Sequence, residues 1–286
     1  MLSSDSTQQS RILGLNDLIR RSREINQTHI RSMGRTVVLD SRTAITRVLG
    51  RYKMFVDPSD LAISVHLMFD GFWEMWLTEE MIRLVKPGMV VADVGANLGY
   101  FSILMADIVG PAGKVLAYEP NPEMADLMRR SLLVNGLLPQ VDIVQSPLTG
   151  ISGEAVTLYY NREQPGGAFV TTGHRDDHEV GISLFSRRFD DHPDAQRVQF
   201  AKIDAEGAEE GIWAGMAMML AGDSLRTVVM EWCACRYRDP AAFLAAMTAP
   251  GFTLSHLDPS SGVTPVSAQA VLADSPYREW LFVLQR

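Results

Sequence analysis

The sequence predicts an α/β fold, a mostly parallel sheet with helices on both faces. Three observations carry that expectation. Residues 90–94, 114–119, 141–145, 200–204 and 227–231 are short, largely apolar runs, the composition of strands covered on both sides. Helical segments separate them, as crossovers between parallel strands require. The first run ends in a glycine-rich turn holding Gly95, Asn97 and Gly99, and the amphipathic stretch 100–109 follows at once. Strand, glycine turn and helix in that order make the first unit of a nucleotide-binding sheet.

In chain order, residues 1–10 are polar and are expected to lack regular structure. From 12 to 33, Ile12, Leu13, Leu15, Leu18, Ile19, Ile25 and Ile30 recur among charges, which reads as one or two helices packed on the main domain. Residues 36–40 and 51–56 have strand character, and this part ends at Asp57-Pro58. We therefore assign 1–56 to an N-terminal extension of helices and short strands, and 57–286 to the main domain. Residues 76–84 read as a helix with Thr78 at its N-cap and Glu79, Glu80 and Met81 in its first turn. After 114–119, Asn121 caps a helix with Pro122 at its first position, and Gly136 ends it. An insertion spans about 150–195. In it 154–160 alternates like a strand, while 161–193 is polar and Gly-rich, with His174, His178 and His192, and reads as a lid or substrate loop. A helix running to about 220 follows 200–204, and 240–248 is a short Ala-rich helix. Residues 252–257 and 280–284 are the last two strands.

Composition excludes several classes. Apolar content of 47% and charged content of 21% over 286 residues suit one large domain with an appended piece. A net charge of −8 without a Lys/Arg block points away from nucleic acid and anionic membranes. Cys233 and Cys235 are too close together to staple a fold, and no further Cys or His stands at zinc spacing. No apolar run reaches the roughly 18–20 residues of a membrane span, and the polar first residues carry no secretory signal. A cytoplasmic location is the expectation.

The turn narrows the ligand. A dinucleotide fingerprint, G-x-G-x-x-G, begins with glycine directly after its strand. Here Asp93 precedes the first glycine in D-x-G-x-N-x-G, and a carboxylate is unwelcome beside a pyrophosphate. It suits an ammonium or a sulfonium. Glu119 ends the next strand 20 residues after Gly99, where a carboxylate accepts bonds from two ribose hydroxyls. The pair favours S-adenosyl-L-methionine over NAD. An NAD-linked oxidoreductase and a non-catalytic binding module are the competing readings. On the favoured one, Asp93, Gly95, Asn97 and Gly99 serve the methionine end, with Tyr100 at the start of the next helix. Glu119 takes the ribose with Asn121 beside it, and Ser146 lies at the adenine edge.

The runs D-V-G-A-N-L-G-Y-F (93–101), A-Y-E-P-N-P (117–122) and K-I-D-A-E-G-A-E (202–209), with G-F-W-E at 71–74, occur in one order. Together they resemble the FkbM family of S-adenosylmethionine-dependent methyltransferases, from about 57 to 231. The resemblance implies a class I methyltransferase (Rossmann-like) fold of seven strands, the last antiparallel. It implies O-methylation of a sugar, glycoconjugate or polyketide-type hydroxyl, hence a small-molecule or glycan acceptor. It also places Glu74 at the cofactor. In this fold Asp204 and Glu206 follow the fourth strand and face the transferable methyl, so either can orient or deprotonate the acceptor, and Asp204 also borders the cofactor. The two can instead clamp a divalent cation, though no metal set is predicted. Glu231 is a third carboxylate near that rim. A hydroxyl acceptor benefits from a general base, and His174, like His178, is a candidate by pKa. Trp73 and Trp76 can stack on a sugar ring. The N-terminal extension offers a surface for homo-oligomer contact.

Overall fold

The computed structural model describes residues 12–161, 164–171 and 180–286. The expectation for residues 1–10 lies outside them. Helices α1 (Leu15–Arg20) and α2 (Arg23–Met33) open the described chain, and Ser22 caps α2 by accepting the Ile25 N–H. Strands β1 (Thr36–Asp40), β2 (Thr43–Val48) and β3 (Tyr52–Val56) form an antiparallel sheet in the order β1-β2-β3. Helices α3 (Ser64–Phe69) and α4 (Met75–Leu84) follow. Thr78 is not the cap of α4. The N-cap is Glu74, in the left-handed region at φ 37°, and the Thr78 hydroxyl bonds to the Trp73 carbonyl and the Tyr100 hydroxyl inside the helix.

The core begins with β4 (Val90–Val94), α5 (Tyr100–Val109), β5 (Lys114–Tyr118), α6 (Pro122–Val134) and β6 (Val141–Val144). Asn121 caps α6 through its side-chain oxygen, which accepts the Glu123 N–H. The insertion differs from the loop expected between 161 and 193. Strands β7 (Ala155–Asn161), β8 (Gln164–Thr171) and β9 (Val180–Phe185) form an antiparallel sheet in the order β8-β7-β9. Pro and two Gly in β8 are poor local strand formers; pairing along β7 overrides them.

Next come β10 (Val198–Ile203), α7 (Glu209–Ala214) and α8 (Ala217–Ala221). The single helix expected here breaks at Gly215, where a Cβ would stand 2.4 Å from the Thr149 carbonyl oxygen. The chain ends with β11 (Thr227–Cys233), α9 (Pro240–Thr248), β12 (Thr253–Asp258), β13 (Gly262–Pro265), α10 (Ala268–Leu272) and β14 (Glu279–Gln285).

The central sheet has eight strands, not seven, in the order β13-β12-β14-β11-β10-β4-β5-β6. The extra one is β13, a short, largely exposed partner of β12 with no apolar run to announce it. Strands β11, β10, β4, β5 and β6 are mutually parallel, and β14 is antiparallel to both its neighbours. This is the class I methyltransferase arrangement, with β13 added at one edge. Alternation along β4 divides the apolar core. Val91 enters one cluster, and Val90, Ala92 and Val94 enter the other. The first cluster also takes Leu18, Ile30, Ala44 and Met54, so the N-terminal helices and small sheet share the core of one face.

Candidate active site

The site is built where β4 leaves the sheet, at the carboxyl ends of the parallel strands. Gly95 has φ 72°, and an added Cβ would lie 1.7 Å from the Asp204 carbonyl oxygen. The turn therefore lies against the end of β10 at a distance only glycine permits. The N–H groups of Gly95 and Ala96 donate to the Tyr118 carbonyl, which ties the turn to β5. Gly99, at φ 89°, has a different job. A Cβ there would meet Met128 at 2.5 Å, so this glycine lets α5 pack on α6.

A cavity of about 300 Å³ opens above the turn. Of the residues expected at the cofactor, Gly95, Asn97, Tyr100, Glu119 and Ser146 line it. Glu74, Asp204 and Glu206 line it as well, and Glu231 joins them. Asp93, Gly99 and Asn121 stand behind its wall. His174 and His178 lie outside the described residues.

Asp93 is fully buried. Its Oδ2 accepts the Ser102 hydroxyl at 2.6 Å, and its Oδ1 lies 3.7 Å from the Lys202 ammonium. Burial pushes its carboxyl above the usual range, with Lys202 and Ser102 opposing. Lys202 is a group the sequence reading passed over. It is 4% exposed, sits 3.2 Å from Asp204, and donates to the Gly95 carbonyl at 3.4 Å. Burial works against its charge, but Asp204, Asp93 and Glu74 outweigh that and hold its pKa above that of an ordinary lysine. The signal was present as a lysine inside the apolar run 200–203, since a buried ammonium needs carboxylate partners.

Glu119 is also buried. Its two oxygens accept the Asn97 N–H at 2.7 Å and the Asn121 N–H at 2.8 Å. Burial pushes its pKa up to about 7 despite those bonds. The Asn121 amide nitrogen and the Tyr118 hydroxyl are buried without partners. Ser146 donates its hydroxyl to the Phe185 carbonyl at 2.7 Å, joining the cavity to the insertion.

The opposite rim is acidic and strained. Four non-glycine residues among those described have positive φ, and three of them, Glu74, Asn97 and Glu206, line this cavity. Such concentration is typical of functional sites, at about 1–3 kcal/mol per residue. Burial and then Asp204 push Glu74 to about 7, Lys202 opposing. Burial and Asp204 likewise push Glu206 to about 7 and Glu231 to about 8, with Arg236 pulling both down. Arg236, the second group missed from sequence, bonds Glu231, sits 2.9 Å from Glu206 and reaches Glu279 at 3.3 Å. Asp204, Glu206 and Glu231 can each turn one oxygen to within 4.8 Å of the others, which is room for a divalent cation. Glu209, the first residue of α7, accepts the N–H groups of Ala205 and Gly207 just ahead of the helix, and Glu206 lines the cavity beside Arg236.

Residues 93–253, more than half of the chain, match the Methyltransferase FkbM domain. The chain belongs to the FkbM methyltransferase family. Methyltransferase sdnD of Sordaria araneosa is 28% identical to it over 156 residues, 44% of this chain and 60% of that protein. Protein-L-isoaspartate O-methyltransferase of Aeropyrum pernix is 44% identical over 66 residues, 22% of this chain and 25% of that protein. The matches thus span less than two thirds of either relative. A solved SAM-dependent O-methyltransferase from Thermotoga maritima superposes with a TM-score of 0.42 at 15% identity, over 85% of this chain and 77% of that one. This FkbM methyltransferase is an S-adenosyl-L-methionine-dependent enzyme, and its site fits that cofactor. Gly95 lets the turn lie against the end of β10 at the cavity floor, and Glu119 presents a buried carboxylate at the cavity wall. No helix among the described residues is long and apolar enough to cross a membrane.

Proposed function

We propose that this FkbM methyltransferase methylates a hydroxyl oxygen of a sugar, glycoconjugate or polyketide-type natural product. The observation that carries the reading is the rim of Asp204, Glu206 and Glu231, two of whose carboxyls ionise near neutral pH at about 7 and 8. A group with such a pKa is well matched to taking a hydroxyl proton. The cofactor, when bound, supplies a methyl carbon activated by a positive sulfur. The chain's own residues then have to align the acceptor and exclude water. Asp204 orients the acceptor hydroxyl and Glu206 takes its proton. Gly95 and Asn97 shape the methionine end, with Gly99 holding α5 against α6 behind them; Glu119 accepts from the ribose beside Asn121, and Ser146 borders the adenine. Glu74 and Tyr100 close the cavity from α4 and α5. Asp93 acts through Lys202 and Ser102 rather than by touching the ligand.

Arg236 already supplies the positive charge that a cation would bring, so the reading includes no metal. Net charge −8 supports a small acceptor over nucleic acid, and a cytoplasmic setting belongs to the same reading. Val37, Val38 and Leu39, exposed on the open edge of β1, support a contact with a second copy.

Calorimetric titration tests the cofactor reading. S-adenosylhomocysteine is expected to bind and NAD is not; the reverse ends it. Labelled S-adenosylmethionine with a panel of hydroxylated acceptors, with and without Mg²⁺, tests the chemistry. Cofactor binding without transfer to any acceptor supports the non-catalytic alternative. Asp204→Ala is expected to keep cofactor affinity and lose turnover.

A further inference from the structure

A second, smaller cavity of about 180 Å³ shares Glu74, Asp204 and Glu231 with the first. Its remaining walls include Trp76 on α4, His256 on β12, and Glu279 and Trp280 on β14, none of which borders the larger cavity. Trp280 is 5% exposed, and its indole N–H is buried without a partner. The Arg278 guanidinium lies 3.9 Å from the Trp280 ring centroid, and the His256 ring meets it nearly edge-on at 4.8 Å. Four carboxylates, Glu74, Asp204, Glu231 and Glu279, face this space with one lysine, Lys202.

Resting on the O-methyltransferase reading above, we propose that this side cavity is the acceptor subsite, that it takes a single uncharged polyhydroxylated ring, and that it rejects acceptors bearing a carboxylate. Carboxylates accept hydroxyl protons and an unpaired indole N–H donates to a hydroxyl or ring oxygen. Trp76, half-buried on the same wall, adds an apolar face for the C–H side of such a ring. The volume is below the ~300–1,000 Å³ of pockets for larger ligands, which limits the occupant to one ring. Arg236 pairs with Glu231 and Glu279, yet the four carboxylates still outnumber it and Lys202 together, and an acidic acceptor would add negative charge to that wall. Burial, and after it the charge of Asp204, pushes Glu74 up to about 7 and Glu231 up to about 8. The shared wall puts the reacting hydroxyl beside the methyl donor. The hydroxyl oxygen bonds the methyl carbon and its proton passes to a rim carboxylate. The C–S electron pair stays on sulfur, giving S-adenosylhomocysteine.

The test uses labelled methyl donor with methyl hexopyranosides and the matching methyl hexopyranosiduronic acids. Transfer to at least one neutral glycoside is expected, with kcat/KM about tenfold or more lower for its uronic acid. Glu279→Gln, at an exposed position, and Trp280→Phe, which keeps an aromatic ring but removes the pyrrole ring with its N–H, are each expected to raise KM for the neutral glycoside about tenfold. S-adenosylhomocysteine affinity should stay within about twofold in both. Equal use of the uronic acid, an unchanged KM in both variants, or no transfer to any glycoside overturns the proposal. In the last case, transfer to another hydroxylated acceptor shows that the subsite assignment alone has failed, and retained S-adenosylhomocysteine binding without transfer to any acceptor shows that the O-methyltransferase reading has failed with it. Loss of that binding in the parent protein shows that the cofactor reading has fallen as well.

Discussion

Lys202→Met removes the cation lying 3.7 Å from Asp93 and 3.2 Å from Asp204. With an effective dielectric of about 20, those separations correspond to attractions of about 4.5 and 5 kcal/mol before desolvation is charged against them. The Asp204 side chain is 38% exposed and water takes over much of its share. Asp93 is fully buried and keeps only Ser102. Stripping one partner from a buried pair costs about 3–5 kcal/mol, the loss expected here in urea unfolding at pH 7.5. The loss must also depend on pH. The Asp93 carboxyl is already raised by burial and rises further without the ammonium, so the folded variant holds a proton that the unfolded chain has released. Stability then falls as pH rises between the ordinary aspartate value of about 4 and the raised one. The deficit should shrink toward pH 5 and grow toward pH 8, and adding Asp93→Asn should restore most of it. A loss below about 1 kcal/mol, a deficit flat in pH, or no rescue would refute the reasoning.

Burial holds Glu119 near 7, and the ribose role proposed for it uses the charged carboxylate, so on that reading S-adenosylhomocysteine should bind more weakly as pH falls from 8 to 6. Glu119→Gln should flatten that profile and weaken binding about tenfold at pH 8, as calorimetry at several pH values would show. Gly95→Ala forces a Cβ to 1.7 Å from the Asp204 carbonyl at φ 72°; the conformation alone costs about 1–2 kcal/mol. Thermal melts should show the destabilisation, and the cofactor-induced rise in Tm should vanish. Arg236→Met removes the charge that holds Glu231 and Glu206 down, so the rising acidic limb of the pH–rate profile, where the base loses its proton, should move to higher pH. EDTA should leave the parent enzyme's rate within about twofold, since no metal step is invoked. Val38→Lys on the β1 edge should shift any dimer to monomer in light scattering while sparing turnover.

Residues 90–109 were legible because the signals are local. A continuous apolar strand, a glycine turn and an amphipathic helix each declare themselves within a dozen residues, and Asn121-Pro122 marks the start of α6 just as locally. What was missed depends on remote partners. Thr78 has the composition of a cap, but Tyr100 lies across from its hydroxyl. Strand β8 is locally implausible and exists through β7. The break at Gly215 comes from the Thr149 carbonyl. At the site the motif residues Glu119, Asp204 and Glu206 could be named because their spacing from the strands is fixed. Lys202 and Arg236 could not be assigned roles, because each joins a near neighbour, Asp204 or Glu231, to carboxylates remote in the chain, Asp93 for the one and Glu206 and Glu279 for the other.

Strand β14 follows every other strand in the chain yet sits inside the sheet, between β11 and β12. On a ribosome, β4, β5, β6, β10 and β11 can therefore assemble before it emerges, leaving β11 with a bare edge. Glu279 and Trp280 arrive with this final segment. A nascent chain can thus complete the half that holds the methyl donor while the chamber beside it still lacks a side. Premature termination before residue 279 would remove the middle of the sheet, not its margin, and would leave two unpaired edges open to association with other chains.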